Sequence, residues 1–213
     1  MRRLIHAIKD DSLSIVLFAL FVVCISAQSF AGWRLQNETL AARGRAAVGY
    51  WHNLSTGTFL EGLATNWQAA FLQLASLIVF SGFLYRRGAP HSRDPLKPKD
   101  RRKRDEEAAR FTWLYRNSLF LAFVLLFFLS LVLDVVIGKK AYNEERGLTN
   151  QPPIHVPEFL ISAKFWSSTL QTWQAEYLAI ALFVLLSMFL RQQDSAESKL
   201  LESSDATTGE ANK

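Results

Sequence analysis

The sequence predicts an all-α integral membrane protein, with four transmembrane helices arranged as two parallel two-helix repeats and short interfacial helices in the outer loops. Three observations lead there. The chain repeats itself at a spacing of 106 residues, each copy holds two long apolar segments, and cationic residues are concentrated between the copies. Gly32, Asn37 and Glu38 recur as Gly138, Asn143 and Glu144, and Trp67-Gln68-Ala69 with Leu72 recurs as Trp173-Gln174-Ala175 with Leu178. Ser12-Leu13, Leu54, Phe59, Phe83-Leu84 and Ser92 find identical partners at Ser118-Leu119, Leu160, Phe165, Phe189-Leu190 and Ser198. Chance matches of Leu and Phe are common in apolar text, so the polar and tryptophan matches carry the weight. A duplicated unit sets the architecture before any other feature is read.

The apolar segments follow in order. Ser12 to Trp33 and Gly62 to Tyr85 contain no charged side chain, Asn117 to Gly138 contains only Asp134, and Phe165 to Leu190 contains only Glu176. A helix rises about 1.5 Å per residue, so about 20 residues cross a hydrocarbon core of roughly 30 Å. All four are long enough. A cleaved secretory signal is the competing reading of the first, since Arg2 and Arg3 precede it and Ser29-Phe30-Ala31 resembles a cleavage site. Its apolar run exceeds a usual signal core, and its counterpart lies in mid-chain, so it is read as an uncleaved helix. Four buried soluble helices would each show a polar face. Phe120 to Leu133 is apolar on every face apart from Ser130.

Overall composition, 50% hydrophobic and 20% charged with a net charge of +5, would suit a soluble protein, but the charges are segregated. Arg86 to Arg116 holds eleven Lys or Arg against five acids, whereas the loops Trp33 to Glu61 and Lys139 to Lys164 hold three and four basic residues. By the positive-inside rule the central loop is cytoplasmic, and with it both termini. Each copy has an even number of crossings, so the copies enter the membrane in the same direction, related by a pseudo-two-fold axis along its normal. The expected organisation is a first membrane repeat over 1–92, a basic connector over 93–116, a second repeat over 117–199 and a disordered cytoplasmic tail over 200–213. Gln192 onward is already rich in Ser, Glu and Asp, without a hydrophobic period.

The outer loops carry aromatic stripes. Tyr50-Trp51, Phe59-Leu60, Leu63 and Trp67, then Phe159-Leu160, Phe165-Trp166, Leu170 and Trp173, recur at spacings of three, four and seven. They predict short amphipathic helices at the outer interface, with Trp51, Trp67, Trp166 and Trp173 as headgroup anchors. Pro152-Pro153 and Pro157 start the second such helix after Pro157.

Ionisable groups within lipid-spanning segments are functional candidates by default. Asp134 lies about 27 Å up its helix from Arg116, and Glu176 about 22 Å up from Arg191, so both sit toward the outer surface. Their equivalents in the first copy are Gln28 and Ala70, which excludes a symmetric pair of carboxylate sites. Asp134, Glu176, Gln28, Gln68 and Gln174 are therefore candidate functional or helix-pairing positions, with interhelical hydrogen bonding the favoured use. In the central loop, Lys99, Arg101, Arg102, Lys103 and Arg104 predict contact with anionic lipid, each cation contributing about 1 kcal/mol near the surface. No nucleic-acid reading motif accompanies them.

The one cysteine, Cys24, has no partner in the chain, and the four histidines show no metal spacing. No Gly-x-Ser-x-Gly, His-Glu-x-x-His or phosphate-binding Gly-rich loop occurs, so neither an enzyme nor a cofactor is expected. Gly138 through Asn143-Glu144-Glu145, then Trp173-Gln174-Ala175-Glu176-Tyr177-Leu178, and Leu190-Arg191-Gln192 with Ser195-Ala196-Glu197-Ser198-Lys199 resemble an uncharacterised bacterial multi-pass membrane-protein family of unknown function. That family is built from a duplicated two-helix unit with Trp-Gln-x-Glu and Arg-Gln-x-x-Ser-x-Glu-Ser-Lys patterns. The first copy departs from both, with Ala70 in place of the glutamate and Arg86-Arg87-Gly88-Ala89-Pro90-His91-Ser92 as a partial match. The resemblance implies no catalytic residues. Two functions follow. The favoured one is a non-enzymatic structural or accessory component of the bacterial inner membrane, contacting lipids, a membrane-protein partner or further copies of itself. The alternative is a small ion or solute transporter or channel using Asp134 and Glu176.

Overall fold

The computed structural model describes residues 11–84, 86–90, 92, 110–206 and 208. They form seven helices and, among the described residues, no strand: α1 Ser12–Ala42, α2 Tyr50–Leu54, α3 Gly57–Phe83, α4 Trp113–Arg116, α5 Ser118–Leu148, α6 Val156–Leu160 and α7 Ala163–Phe189. The bounds of α1, α2 and α3 shifted by 106 residues are those of α5, α6 and α7. The short elements α2 and α6 stand where interfacial helices are expected, α6 starting one residue before Pro157. Each long helix is apolar and long enough to cross a membrane. At 31 residues, α1 and α5 run about 46 Å, well beyond a roughly 30 Å hydrocarbon core. Their polar ends, Arg34 to Ala42 and Lys139 to Leu148, supply the excess.

The same backbone devices close both copies. Gly44 and Asn150, 106 residues apart, take positive φ of 65° and 55° directly after the cap residues Arg43 and Thr149. The N–H groups of Arg45 and Gln151 reach back to the carbonyls of Leu40 and Arg146, each at 2.9 Å. This left-handed closure satisfies carbonyls that a helix end leaves free. The loop is then latched to the helix it has just left. Asn37 donates from Nδ2 to the Val48 carbonyl at 3.1 Å and accepts the Val48 N–H on Oδ1 at 2.8 Å. Asn143 does the same to Ile154, at 3.0 and 2.8 Å. Thr56 Oγ1 and Ser162 Oγ each donate three residues back, to Asn53 and Phe159, where the second long helix of each copy begins.

The chain forms two compact units, Met1–Gly62 and Leu63–Lys213. In the first, α1 and α2 are joined by the Asn37 latch, by a Trp33 Nε1 bond to the Val48 carbonyl at 2.8 Å and by a hydrogen bond between Ser29 Oγ and Tyr50 OH at 2.7 Å. In the second, α3 runs antiparallel to α5: Thr65 and Gln68 meet Asp134, and further along Phe71 meets Phe123. It runs parallel to α7: Gln73 meets Glu176, Ser76 meets Tyr177, and Arg86 beyond its end meets Met188. The second long helices of the two copies therefore point the same way.

Polarity in this second unit is inverted relative to a soluble bundle. The buried stripe of α5 is Ser130, Asp134, Gly138 and Ala141, spaced four, four and three residues apart. On α3 the buried residues are Ala64, Thr65, Gln68, Ala69 and Ala75. Leu125, Phe128, Val132 and Val136, on the opposite face of α5, are all more than half exposed. Small and polar residues inside with large apolar ones outside suit helices solvated by lipid, where close backbone approach and interhelical hydrogen bonds hold the contact. The soluble-bundle reading is incompatible with this distribution.

Candidate functional site

Thr65 and Gln68 are three residues apart on α3, and such a spacing places both on one face of a helix. That face meets α5 at Asp134. Thr65 Oγ1 donates to Asp134 Oδ1 at 2.5 Å, and Gln68 Nε2 donates to Oδ2 at 2.7 Å, so each carboxyl oxygen has a donor from the neighbouring helix. Asp134 is 4% exposed and Gln68 is fully covered. The tie crosses the duplication, linking the second long helix of the first copy to the first long helix of the second. Further buried polar atoms belong to this unit: Gln68 Oε1, Thr169 Oγ1 and Trp173 Nε1 have no protein partner.

The other polar positions singled out in the sequence are placed differently. Glu176 contributes its main chain, its carbonyl accepting from Gln73 Nε2 at 3.0 Å, while its side chain is half-buried. Asp134 and Glu176 thus take separate partners on α3. Gln28 and Gln174 are exposed. Trp51 is 80% exposed, Trp166 and Trp67 are partly exposed, and Trp173 is half-buried against the Phe127 ring at 6.3 Å. The cations Lys99, Arg101, Arg102, Lys103 and Arg104 lie outside the described residues. Among the described residues, no group of three or more metal-ligating side chains comes together.

A second polar centre forms after α3 and α7. Gly88 and Asp194, again 106 residues apart, take φ of 84° and 62°. The buried hydroxyls of Ser92 and Ser198 accept the N–H groups of Arg86 at 3.0 Å and Gln192 at 2.8 Å. From Gln192 onward, where composition predicts disorder, the structure describes turns through Ala206. They bring Arg191, Lys199 and Asp205 together: Arg191 Nη2 pairs with Asp205 Oδ1 at 2.6 Å, and Lys199 Nζ donates to the Asp205 carbonyl at 3.0 Å. Burial pushes the Lys199 ammonium below its ordinary pKa, and the neighbouring Arg191 charge adds to that, opposed by the Asp205 carboxylate.

Sequence reasoning singled out Asp134 and Gln68 but missed Thr65, whose signal was its three-residue spacing from Gln68. It noted Asn37 and Asn143 only as repeat markers. It placed Arg191 and Lys199 in a motif without a role, because their convergence depends on a turn closed by Ser198.

No curated protein and no solved structure matches the chain. A family model described as a domain of unknown function, DUF6766, matches residues 4–210. That span takes in all seven helices and both polar centres, and the chain belongs to the DUF6766 family.

Proposed function

We propose that this protein is a non-enzymatic structural or accessory component of the bacterial inner membrane, both termini cytoplasmic, that contacts lipid or a membrane-protein partner. The observation that carries the reading is the use made of Asp134. A transport site needs a carboxylate open to an exchanging ligand, whereas both oxygens of Asp134 are engaged by donors from α3 in a covered position. Interhelical hydrogen bonds in membranes contribute about 0.6–2 kcal/mol each, enough to fix which helices pair without dominating stability. The exposed apolar faces of α5 and the aromatic outer loops supply the lipid-contacting surface.

Reconstitution into proteoliposomes tests it. Ion and solute flux is expected to stay at the level of empty liposomes for the wild type and for Asp134→Asn with Glu176→Gln. Asp134→Ala is expected to lower stability in mild detergent by about 1–2 kcal/mol, because it leaves the Thr65 and Gln68 donors without their carboxyl. Wild-type flux that disappears in the double variant would replace this reading with a transport role.

A further inference from the structure

The charges gathered after α7 stand apart from the tie that Thr65 and Gln68 make to Asp134. Arg191 is the second residue beyond the end of α7 at Phe189, next to the boundary of the apolar span. Its Nη1 is taken by the carbonyls of Met188 and Leu190, and its Nη2 by the Ser203 carbonyl and the Asp205 carboxylate. Its Nε is buried without a partner. Lys199 is only 2% exposed, yet one main-chain carbonyl receives its ammonium, a group with three donors. Burying a cation this thoroughly next to a second cation is unfavourable unless an anion completes the arrangement. The internal anion, Asp205, is one carboxylate between two cations, and it is 61% exposed.

Beside these residues the turns leave an open groove of about 760 Å³, lined in part by Gln192, Gln193, Ser195, Ser198 and Lys199. That volume falls among typical small-ligand sites. The lining offers amide, hydroxyl and ammonium donors, and its acids, Asp194 and Glu202, are exposed. Arg191 Nη2, once the Asp205 carboxylate is displaced, and the neighbouring Lys199 ammonium are donors of the kind that recognise phosphate oxygens. The strap carrying Asp205 also lies tightly over the connector after α3. Gly88 N–H donates to Thr208 Oγ1 at 2.8 Å, and a Cβ at Gly88 would stand 2.5 Å from the Asp205 carbonyl oxygen.

We propose that Arg191, Lys199 and the adjoining groove form a binding site for a phosphate-bearing anion, with the Asp205 carboxylate as an internal competitor that the ligand displaces. A lipid phosphodiester and free phosphate share this chemistry. The lipid source rests on the membrane reading above; the anion chemistry does not. That reading is tested separately by flux in proteoliposomes, so a failure here leaves it standing.

Full-length protein is assayed in two arms, against inorganic phosphate in neutral detergent and in phosphatidylcholine nanodiscs with and without phosphatidylglycerol. Retained lipid is quantified by mass spectrometry. All proteins carry Gln at Lys99, Arg101, Arg102, Lys103 and Arg104, which removes general attraction by the connector. Arg191→Gln and Lys199→Gln are each expected to weaken phosphate-group binding about fivefold. Asp205→Asn is expected to strengthen it, a gain that misfolding cannot imitate. Preference for phosphatidylglycerol without phosphate binding identifies a lipid ligand, and phosphate binding without lipid preference a soluble one. Either result supports the site if the three variants move as stated. Binding absent from both arms, binding unchanged in Arg191→Gln and Lys199→Gln, or no gain in Asp205→Asn overturns it.

Discussion

The two hairpins that follow α1 and α5 share their latches and differ in what they bury. At matched positions Asn53 and Phe159 are each 1% exposed. Phe159 lies among aromatic rings, 6.0 Å from Tyr142 and 5.4 Å from Phe165. Asn53 leaves both amide atoms buried without a partner. The aromatic contacts of the first hairpin fall elsewhere, with Trp33 edge-on to Tyr50 at 6.0 Å and both side chains making hydrogen bonds. The asparagine latches are the same in both copies, while the side chains that fill space have been exchanged. A latch has one geometry that works, because the amide must meet an N–H and a carbonyl together. A packing position accepts many shapes provided the volume is filled.

That contrast ranks the consequences of substitution. Phe159→Ala removes a fully covered ring and is expected to lower stability by about 3–5 kcal/mol. Asn53→Ala breaks no hydrogen bond to protein and is expected to change stability by less than about 1 kcal/mol, since it also removes an unpaired buried amide. Denaturation of the detergent-solubilised variants compares them directly. Equal losses would mean that the first hairpin depends on Asn53 as the second depends on Phe159, and the contrast would fail. The latches should behave in the opposite manner. Asn143→Ala leaves the Ile154 N–H and carbonyl without their partner, and Asn37→Ala leaves the Val48 N–H alone, its carbonyl still held by Trp33 Nε1; each is expected to lose about 1–3 kcal/mol, Asn37→Ala the less. Hydrogen exchange at Val48 and Ile154 locates the loss. A large effect in one copy alone would show that only one latch holds its loop.

Much of this arrangement was legible in the sequence, for a physical reason. The repeat and the apolar spans are one-dimensional properties, so the four long helices and their matched bounds follow from them. The polar matches at Asn37/Asn143 and Ser92/Ser198 marked positions where one side chain has one backbone partner a fixed number of residues away. Contacts between helices were harder to read. Gln68 and Gln174 look equivalent in the sequence, yet Gln68 is fully covered against Asp134 and Gln174 is exposed. Which face of a lipid-spanning helix meets a neighbour depends on small residues such as Ala64, Ala69 and Gly138, and these give almost no periodic signal against an apolar background. The Arg191 and Lys199 centre was hidden for another reason. A polar tail reads as disorder by composition, and the turns that fold it rest on single hydroxyls.

The smallest expected effect concerns the turns after α3 and α7. Both have a left-handed residue and a serine cap, and the second carries the buried ammonium of Lys199, which faces the Arg191 guanidinium and the Asp205 carboxylate. Its pKa in the folded protein is lowered from the ordinary value of 10.5. Below the folded pKa both states carry the proton, and the unfavourable burial of the charge is felt in full. As pH rises through the folded pKa toward 10.5, the folded state sheds its proton first, the unfolded state binds more protons, and stability increases. The difference between the wild-type and Lys199→Met melting curves isolates the lysine. The wild type is expected to gain on the variant as pH approaches 10.5, and a phosphate-bearing ligand is expected to reduce that gain by favouring the charged ammonium. A pH-independent difference would mean that the folded protein does not hold the Lys199 ammonium away from water.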